Sequence, residues 1–152
     1  NDLQINFIGD ISDAVKTEIE ANNLGENTNF IGYVSHLEAI AFQEKSQVLL
    51  LLIPNVKNNT GILNGKLFEY LKAKRPILAI GPEGGDLATI LAETKAGVVI
   101  NFDAEEKLEF QIKELYRKFK EEKLMVSATN IQKYHRKELT KNLAFLLKSL
   151  NS

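Results

Sequence analysis

The sequence predicts an α/β fold in which one parallel sheet of about five strands is flanked by helices. Three observations predict it. Short apolar or alternating segments repeatedly end at glycine, as strands do. Segments with apolar residues at helical spacing lie between them. The run Val48–Ile53 is continuously apolar, which is typical of a strand covered on both faces.

The predicted elements alternate along the chain. The predicted strands are Leu3–Gly9, Asn29–Val34, Val48–Ile53, Pro76–Ile80 and Gly97–Ile100. The predicted helices between them are Ile11–Asn23, Leu37–Lys45, a helix through Leu67–Leu71 that ends near Ala73, and Leu87–Thr94. Because strands that alternate with helices favour parallel pairing, we expect ligands to bind beyond the carboxyl ends of the strands.

Two helix starts carry capping signals. Ser35 is a good N-cap, and Glu38 completes a capping box. In the turn Gly81–Asp86, Asp86 is a candidate cap for the following helix, although this turn is also a candidate contact for a sugar.

From about residue 104 the chain is expected to be helical, since two apolar stripes have helical spacing. The stripes are Leu108, Ile112, Leu115 and Phe119, then Leu139, Leu143, Leu146 and Leu150. No linker or second core is evident in the sequence, so residues 1–152 are predicted to form a single domain.

Composition excludes several classes of function. Of the 152 residues 44% are hydrophobic and 26% are charged, with a net charge of -1 that gives no general basic field for nucleic acid or an anionic membrane. The absence of cysteine excludes disulfides and thiolate metal sites and fits a cytoplasmic protein. His36 and His135 are too few for a histidine metal cluster. The longest apolar run, Val48–Pro54, is far shorter than the ~20 residues of a membrane helix.

The segment Asn64–Leu71 is the strongest functional signal. It follows the polar, glycine-containing loop Asn55–Gly61 and begins a predicted helix. A helix start after such a loop offers free N–H groups and a positive dipole end to an anion. Lys66 adds a mobile charge, and the carboxylate of Glu69 can accept hydrogen bonds from two hydroxyls. Phosphate beside sugar hydroxyls is the chemistry of a nucleotide-sugar.

Each of these residues also has a plain structural interpretation. In that interpretation Lys66 is a solvated lysine at a helix end and Glu69 a surface residue of the helix. The proximity of Lys66 to Gly65 and Glu69 favours the phosphate role, and the bulky apolar neighbours of Glu69, together with the resemblance described below, favour ribose binding. Thr60 and Asn64 are common turn formers. Gly61 and Gly65 serve backbone geometry whatever the function, so close approach of a ligand is an added inference.

Several segments in order resemble a known family. They are Phe30–His36, Val48–Ile53, Thr60–Leu71, Arg75–Gly81 and Tyr134–Thr140. Together they resemble the C-terminal half of family 4 glycosyltransferases, which are retaining enzymes of the two-domain GT-B fold. The resemblance is greatest to bacterial members with a Gly-Lys-Leu-Phe-Glu-Tyr-Leu signature, and it runs over essentially the whole chain.

The resemblance implies a Rossmann-like domain that binds the nucleotide-sugar donor, with UDP or GDP as the nucleotide. By that resemblance, Glu69 receives the ribose hydroxyls. Backbone amides around Asn64 and Gly65 and in the preceding loop at Thr60 and Gly61 face the diphosphate. Such enzymes use no bound metal, so Lys66 and the helix start are expected to neutralise the leaving diphosphate.

The resemblance also suggests which residues flank the nucleotide base. These are the residues of the loop after the second predicted strand, namely Tyr33, Val34 and Ser35.

Two departures from the family are visible. Many members carry two glutamates separated by seven residues, and the first would fall at Gly61. The usual first strand of the donor domain and the N-terminal acceptor domain are also missing, and the chain opens at Asn1 without Met. We therefore expect an excised or processed piece that transfers nothing alone, with any membrane contact made through the missing domain.

Two other classes of function are weaker alternatives, and a third is excluded. A receiver-like signalling domain has similar architecture but needs an aspartate after the third strand, where Pro54 and Asn55 stand. A sugar-nucleotide epimerase on the related fold would need an acid–base pair that the sequence does not offer. A dinucleotide-dependent dehydrogenase lacks the Gly-x-Gly-x-x-Gly motif.

Overall fold

The computed structural model describes residues 3–124, 126 and 129–150. Asn1 and Asp2 lie outside the described residues. The expectation of a processed piece was based on these first residues. The chain divides into two compact units, Asn1–Phe42 and Gln43–Ser152, which are described separately below.

The first unit contains a pair of parallel strands. Its elements are β1 (Ile5–Ile8), α1 (Asp13–Ala21), a 3₁₀ turn at Gly25–Asn27, β2 (Thr28–Gly32) and the beginning of α2 (His36–Lys45). The rings of Phe7 and Phe30, which are partners in the register, stack with their centroids 5.7 Å apart. An aromatic pair on one face of neighbouring strands stabilises the pairing, so this contact helps to fix the register.

The second unit is built on three parallel strands. Its elements are the end of α2, β3 (Leu49–Leu52), a 3₁₀ turn at Asn59–Gly61, α3 (Gly65–Ala73), β4 (Ile77–Ile80), α4 (Asp86–Thr94), β5 (Gly97–Ile100), α5 (Glu105–Lys120), a 3₁₀ turn at Ile131–Tyr134 and α6 (Arg136–Leu150). The strand order is β3-β4-β5, so α3 and α4 are the crossovers between neighbouring strands.

The prediction of an α/β fold with parallel pairing is confirmed, but the prediction of one sheet with about five strands is wrong. The five strands form a two-stranded sheet and a three-stranded sheet. Hydrophobic periodicity identifies strands because it reports on their faces. It carries little information about which strands pair, because pairing is decided by backbone groups that every residue shares.

Burial on β3 also differs from the prediction. Leu49 and Leu51 are buried at 5% and 2% exposure, whereas Leu50 and Leu52 are 44% and 54% exposed. Leu51 belongs to the core cluster with Leu67 and Leu71 of α3. An apolar run thus marked the strand correctly, but only one of its faces is covered.

The apolar stripe of α6 is largely exposed as well. Leu139, Leu143, Leu146 and Leu150 are between 46% and 73% exposed. On α5, Leu108 and Leu115 are half-buried, while Ile112 and Phe119 are exposed. Within the described residues, no helix is both long and apolar enough to cross a bilayer.

The segment before α6 is attached to the end of α4 by polar contacts. Lys133 Nζ and Tyr134 Oη both donate to the Oε2 atom of Glu93, at 2.8 and 2.5 Å. The pKa of Glu93 is lowered from its usual value, chiefly by the hydrogen bond from Lys133 and then by that from Tyr134. Ile131, in the same 3₁₀ turn, is buried in the core cluster. The turn is therefore held by one apolar anchor and one shared carboxylate oxygen.

We predict that Gly97→Ala destabilises the protein strongly. A Cβ at this position would lie 1.9 Å from the carbonyl oxygen of Ile77 in the adjacent strand. The strands would have to separate locally, at a cost of ~3 kcal/mol. Gly84→Ala is the matched control, since no atom lies within 4 Å of its Cβ position. Urea unfolding followed by circular dichroism should show a loss for the first variant only.

We predict that Glu93→Gln lowers the melting temperature at neutral pH and has little effect in acid. A carboxyl whose pKa is lowered by folding stabilises the protein above its unfolded pKa, and this stabilisation is lost as pH falls through the folded pKa. Thermal melts across the acidic range should show the two curves converging. Glu44→Gln, which changes a carboxylate with no described side-chain hydrogen bond, should show no such convergence. A pH-independent offset for Glu93→Gln would contradict the electrostatic origin.

Candidate functional site

The start of α3 is the centre of the candidate site. Asn64 is the N-cap, in an extended conformation, and its side chain accepts a hydrogen bond from the backbone N–H of Leu67 at 3.2 Å. The N–H groups of the first helical residues, Gly65 and Lys66, have no acceptor inside the helix and point out of its N-terminal end. The helix thus begins two residues before Leu67, and Asn64 has a definite structural role as a cap.

Glu69 lies one turn into α3 and is held from outside the helix. Its Oε2 accepts a hydrogen bond from Gln43 Nε2 at 3.0 Å, and the residue is half-buried. Among the described residues, its Oε1 has no hydrogen-bond partner. A carboxylate that is fixed by one oxygen and leaves the other available is positioned to accept further hydrogen bonds.

Gln43 was not predicted as a site residue. It lies 26 residues before Glu69, and nothing in the pattern of either helix marks the pair. Only the folded arrangement of α2 and α3 brings the two side chains together.

Lys66 is exposed at the same helix start and has no hydrogen bond or ion pair with any described residue. The side chain is therefore available to an anion. The neighbouring Tyr70 instead faces the core, and burial raises the pKa of its hydroxyl, with a further contribution from the charge of Glu69. Tyr70 consequently stays neutral at physiological pH and helps to seat the helix.

The loop before α3 packs against the loop that follows β4. A Cβ at Gly85 would lie 2.7 Å from the carbonyl oxygen of Thr60, so only glycine permits this approach. Gly61 lies at the same contact, where its Cβ position is 3.8 Å from Asp86 Oδ2. The side chain of Asn59 donates to the carbonyl of Pro54 at 3.2 Å and closes the loop on itself. Thr60 and Gly61 are both exposed at this end of the sheet.

The turn 81–86 differs in part from its prediction. Asp86 is the first residue of α4, and Gly85 is the N-cap without a side-chain bond, so the expectation that Asp86 caps the helix is wrong. Its carboxylate still complements the positive end of the helix. Glu83 pairs with Lys107 at 3.2 Å, and this bond is the main reason that its pKa is lowered. The Glu83 carboxylate thus has a structural partner.

The three residues expected beside the base belong to the first unit. Tyr33 is 88% exposed and Val34 is half-buried. The predicted capping box is confirmed, since the Ser35 hydroxyl donates to Glu38 Oε2 at 2.7 Å and accepts from the Glu38 N–H at 3.3 Å. The pKa of Glu38 is lowered mainly by that hydroxyl. The hydroxyl of Ser35 is therefore already engaged in the cap.

The remaining six predicted residues belong to the second unit. Asn64, Gly65, Lys66 and Glu69 share one helix start, and Thr60 and Gly61 lie in the loop that leads to it. In the described part of the chain, no group of three or more histidine, cysteine, aspartate or glutamate side chains is arranged to hold a metal ion. Comparison of the sequence with protein-family models and with curated proteins gave no match.

We predict that Asn64→Ala destabilises the protein by ~1 kcal/mol, because the Leu67 N–H loses its side-chain acceptor. Asn64→Asp, which keeps an oxygen at the same place and adds a favourable charge, should retain full stability. Equilibrium unfolding in urea compares the variants. Equal stability of the alanine variant and the wild type would show that the cap contributes nothing.

Proposed function

We propose that this chain binds the nucleotide-sugar donor of a retaining glycosyltransferase. The observation that carries the proposal is the combination at the start of α3. The N–H groups of Gly65 and Lys66, which the cap at Asn64 leaves unpaired inside the helix, and the exposed Lys66 side chain stand one turn from Glu69. The Glu69 carboxylate is oriented by Gln43. Groups for a phosphate and a group for hydroxyls are thus present on one helix.

The diphosphate would bind at the helix end. The N–H groups of Gly65 and Lys66 and the positive end of the helix dipole favour an anion there. The Lys66 ammonium adds a full charge without an internal competitor among the described residues. Thr60 and Gly61 are exposed in the adjoining loop and offer backbone to the same anion.

The ribose would bind to Glu69. An ionised carboxylate accepts hydrogen bonds only, and two neighbouring hydroxyls match its two oxygens. Because Gln43 already occupies Oε2, the hydroxyls would share that oxygen or use Oε1. The family resemblance assigns Tyr33, Val34 and Ser35 of the first unit to the base.

In the transfer reaction, the bond between the sugar carbon and the diphosphate oxygen breaks, and the acceptor oxygen bonds to the same carbon. Negative charge then develops on the diphosphate. Lys66 and the helix start would stabilise it, which lowers the barrier because these groups are stronger partners for the leaving group than for the intact donor. A diphosphate oxygen can take the acceptor proton, so no protein nucleophile is required. A separate acceptor domain would complete the enzyme.

We predict that the chain binds UDP or GDP and that Lys66→Ala weakens the binding roughly tenfold, since a charge-assisted contact is lost. Lys72→Ala is the matched control, because Lys72 is an exposed lysine in the last turn of the same helix. Isothermal titration of both variants and the wild type measures the effect. Equal loss in both variants would indicate a general charge effect instead of a site.

The role of Glu69 has its own test. We predict that Glu69→Gln reduces the preference for UDP or GDP over the matching 2′-deoxynucleotide, because the variant loses the ionised acceptor but keeps its shape and its contact with Gln43. The ratio of the two affinities is the readout. An unchanged ratio would place the ribose elsewhere, and absence of heat with either nucleotide would contradict the proposed function.

A further inference from the structure

Asn64 has a chemical environment that its role as a cap does not explain. It is the only asparagine of the chain that is followed by glycine. The backbone nitrogen of a following glycine can attack the side-chain amide carbon of asparagine, because no side chain hinders its approach. We propose that Asn64–Gly65 is a site of spontaneous deamidation in the folded protein.

The structure leaves the attacking nitrogen free. Gly65 is the first residue of α3, so its N–H has no acceptor inside the helix. The residue is exposed, and no atom lies within 4 Å of the place where a Cβ would stand. The side of Gly65 that a side chain would occupy is therefore open, and it does not shield the neighbouring nitrogen.

One donor restrains the reaction. The N–H of Leu67 binds both the side-chain oxygen and the carbonyl oxygen of Asn64, each at 3.2 Å. The ψ angle of Asn64 is 160°, and ring closure requires rotation about this bond. Leu67 is fully buried, whereas Gly65 and Lys66 are exposed. To open the first turn, the Leu67 N–H must release its two hydrogen bonds to Asn64. The rest of the helix can stay in place, because the Leu67 side chain is buried.

The reaction balances without a co-reactant other than water. The Gly65 nitrogen forms a bond with Asn64 Cγ, the bond from Cγ to the side-chain nitrogen breaks, and ammonia leaves. Water then opens the five-membered imide at either carbonyl. One product is aspartate at position 64, and the other is isoaspartate, in which the main chain runs through the former side chain.

The two products differ in their effect on α3. Aspartate keeps an oxygen for the Leu67 N–H and adds a charge that the helix end favours. Isoaspartate lengthens the main chain by one carbon between the loop and the helix, so the cap cannot form in the same way. Both products also add negative charge where the proposed function places a diphosphate, but the deamidation itself does not depend on that function.

The test is incubation of the full chain in mildly alkaline buffer, followed by proteolysis and mass spectrometry. We expect Asn64 to lose its amide before any other asparagine, and more slowly than in the same chain unfolded in urea. Gly65→Ala, placed where a Cβ meets nothing, should slow the reaction on the order of tenfold by restricting backbone rotation.

An isoaspartate-specific methyltransferase would then quantify the rearranged product at Asn64. Two results would overturn the proposal. One is an intact Asn64 in the folded chain after the unfolded chain has converted. The other is earlier amide loss at another asparagine of the folded chain. Circular dichroism at the start and end of incubation ensures that the folded state is the one tested.

Discussion

The seating of α3 on the three-stranded sheet is the contact on which the candidate site depends. Leu67 and Leu71, one helical turn apart, are almost completely buried in a cluster with Leu51 of β3 and Ile77 of β4. Burial of two leucine side chains contributes roughly 3–6 kcal/mol before entropy is considered. The burial of these two leucines fixes the orientation of α3. That orientation leaves the helix start with Gly65 and Lys66 exposed.

A second constraint acts at both ends of the three-stranded sheet, on the loops after β3 and β4 and on the opposite end, where β4 and β5 begin. Gly85 allows the loop after β4 to approach the carbonyl of Thr60, and Gly97 allows β5 to approach Ile77. Both positions are closed to larger residues because backbone atoms, which cannot rotate away, occupy the space. The close contacts of the loop before α3 and of strand β5 therefore depend on two glycines, because a Cβ at either position would clash with a backbone carbonyl oxygen.

Local signals were read from the sequence correctly, and long-range ones were not. The capping box of Ser35 and Glu38 and the start of the helix at Gly65 depend on residues a few positions apart, so the sequence contains what determines them. The division into two sheets and the bond between Gln43 and Glu69 depend on how distant segments meet. Asp86 is an intermediate case. The helix that it begins was predicted, but the N-cap is Gly85, one residue before the predicted cap.

The alternating exposure of β3 has a consequence for the behaviour of the protein in solution. Leu50 and Leu52 face outward on a strand that forms one edge of its sheet and contains only leucine. Natural edge strands usually carry a charge or a proline that discourages pairing with another chain. Leu49–Leu52 contains no such residue, so this strand can serve as a template for intermolecular β-pairing in a concentrated or partly unfolded sample. A lysine at position 50 or 52 would oppose that pairing.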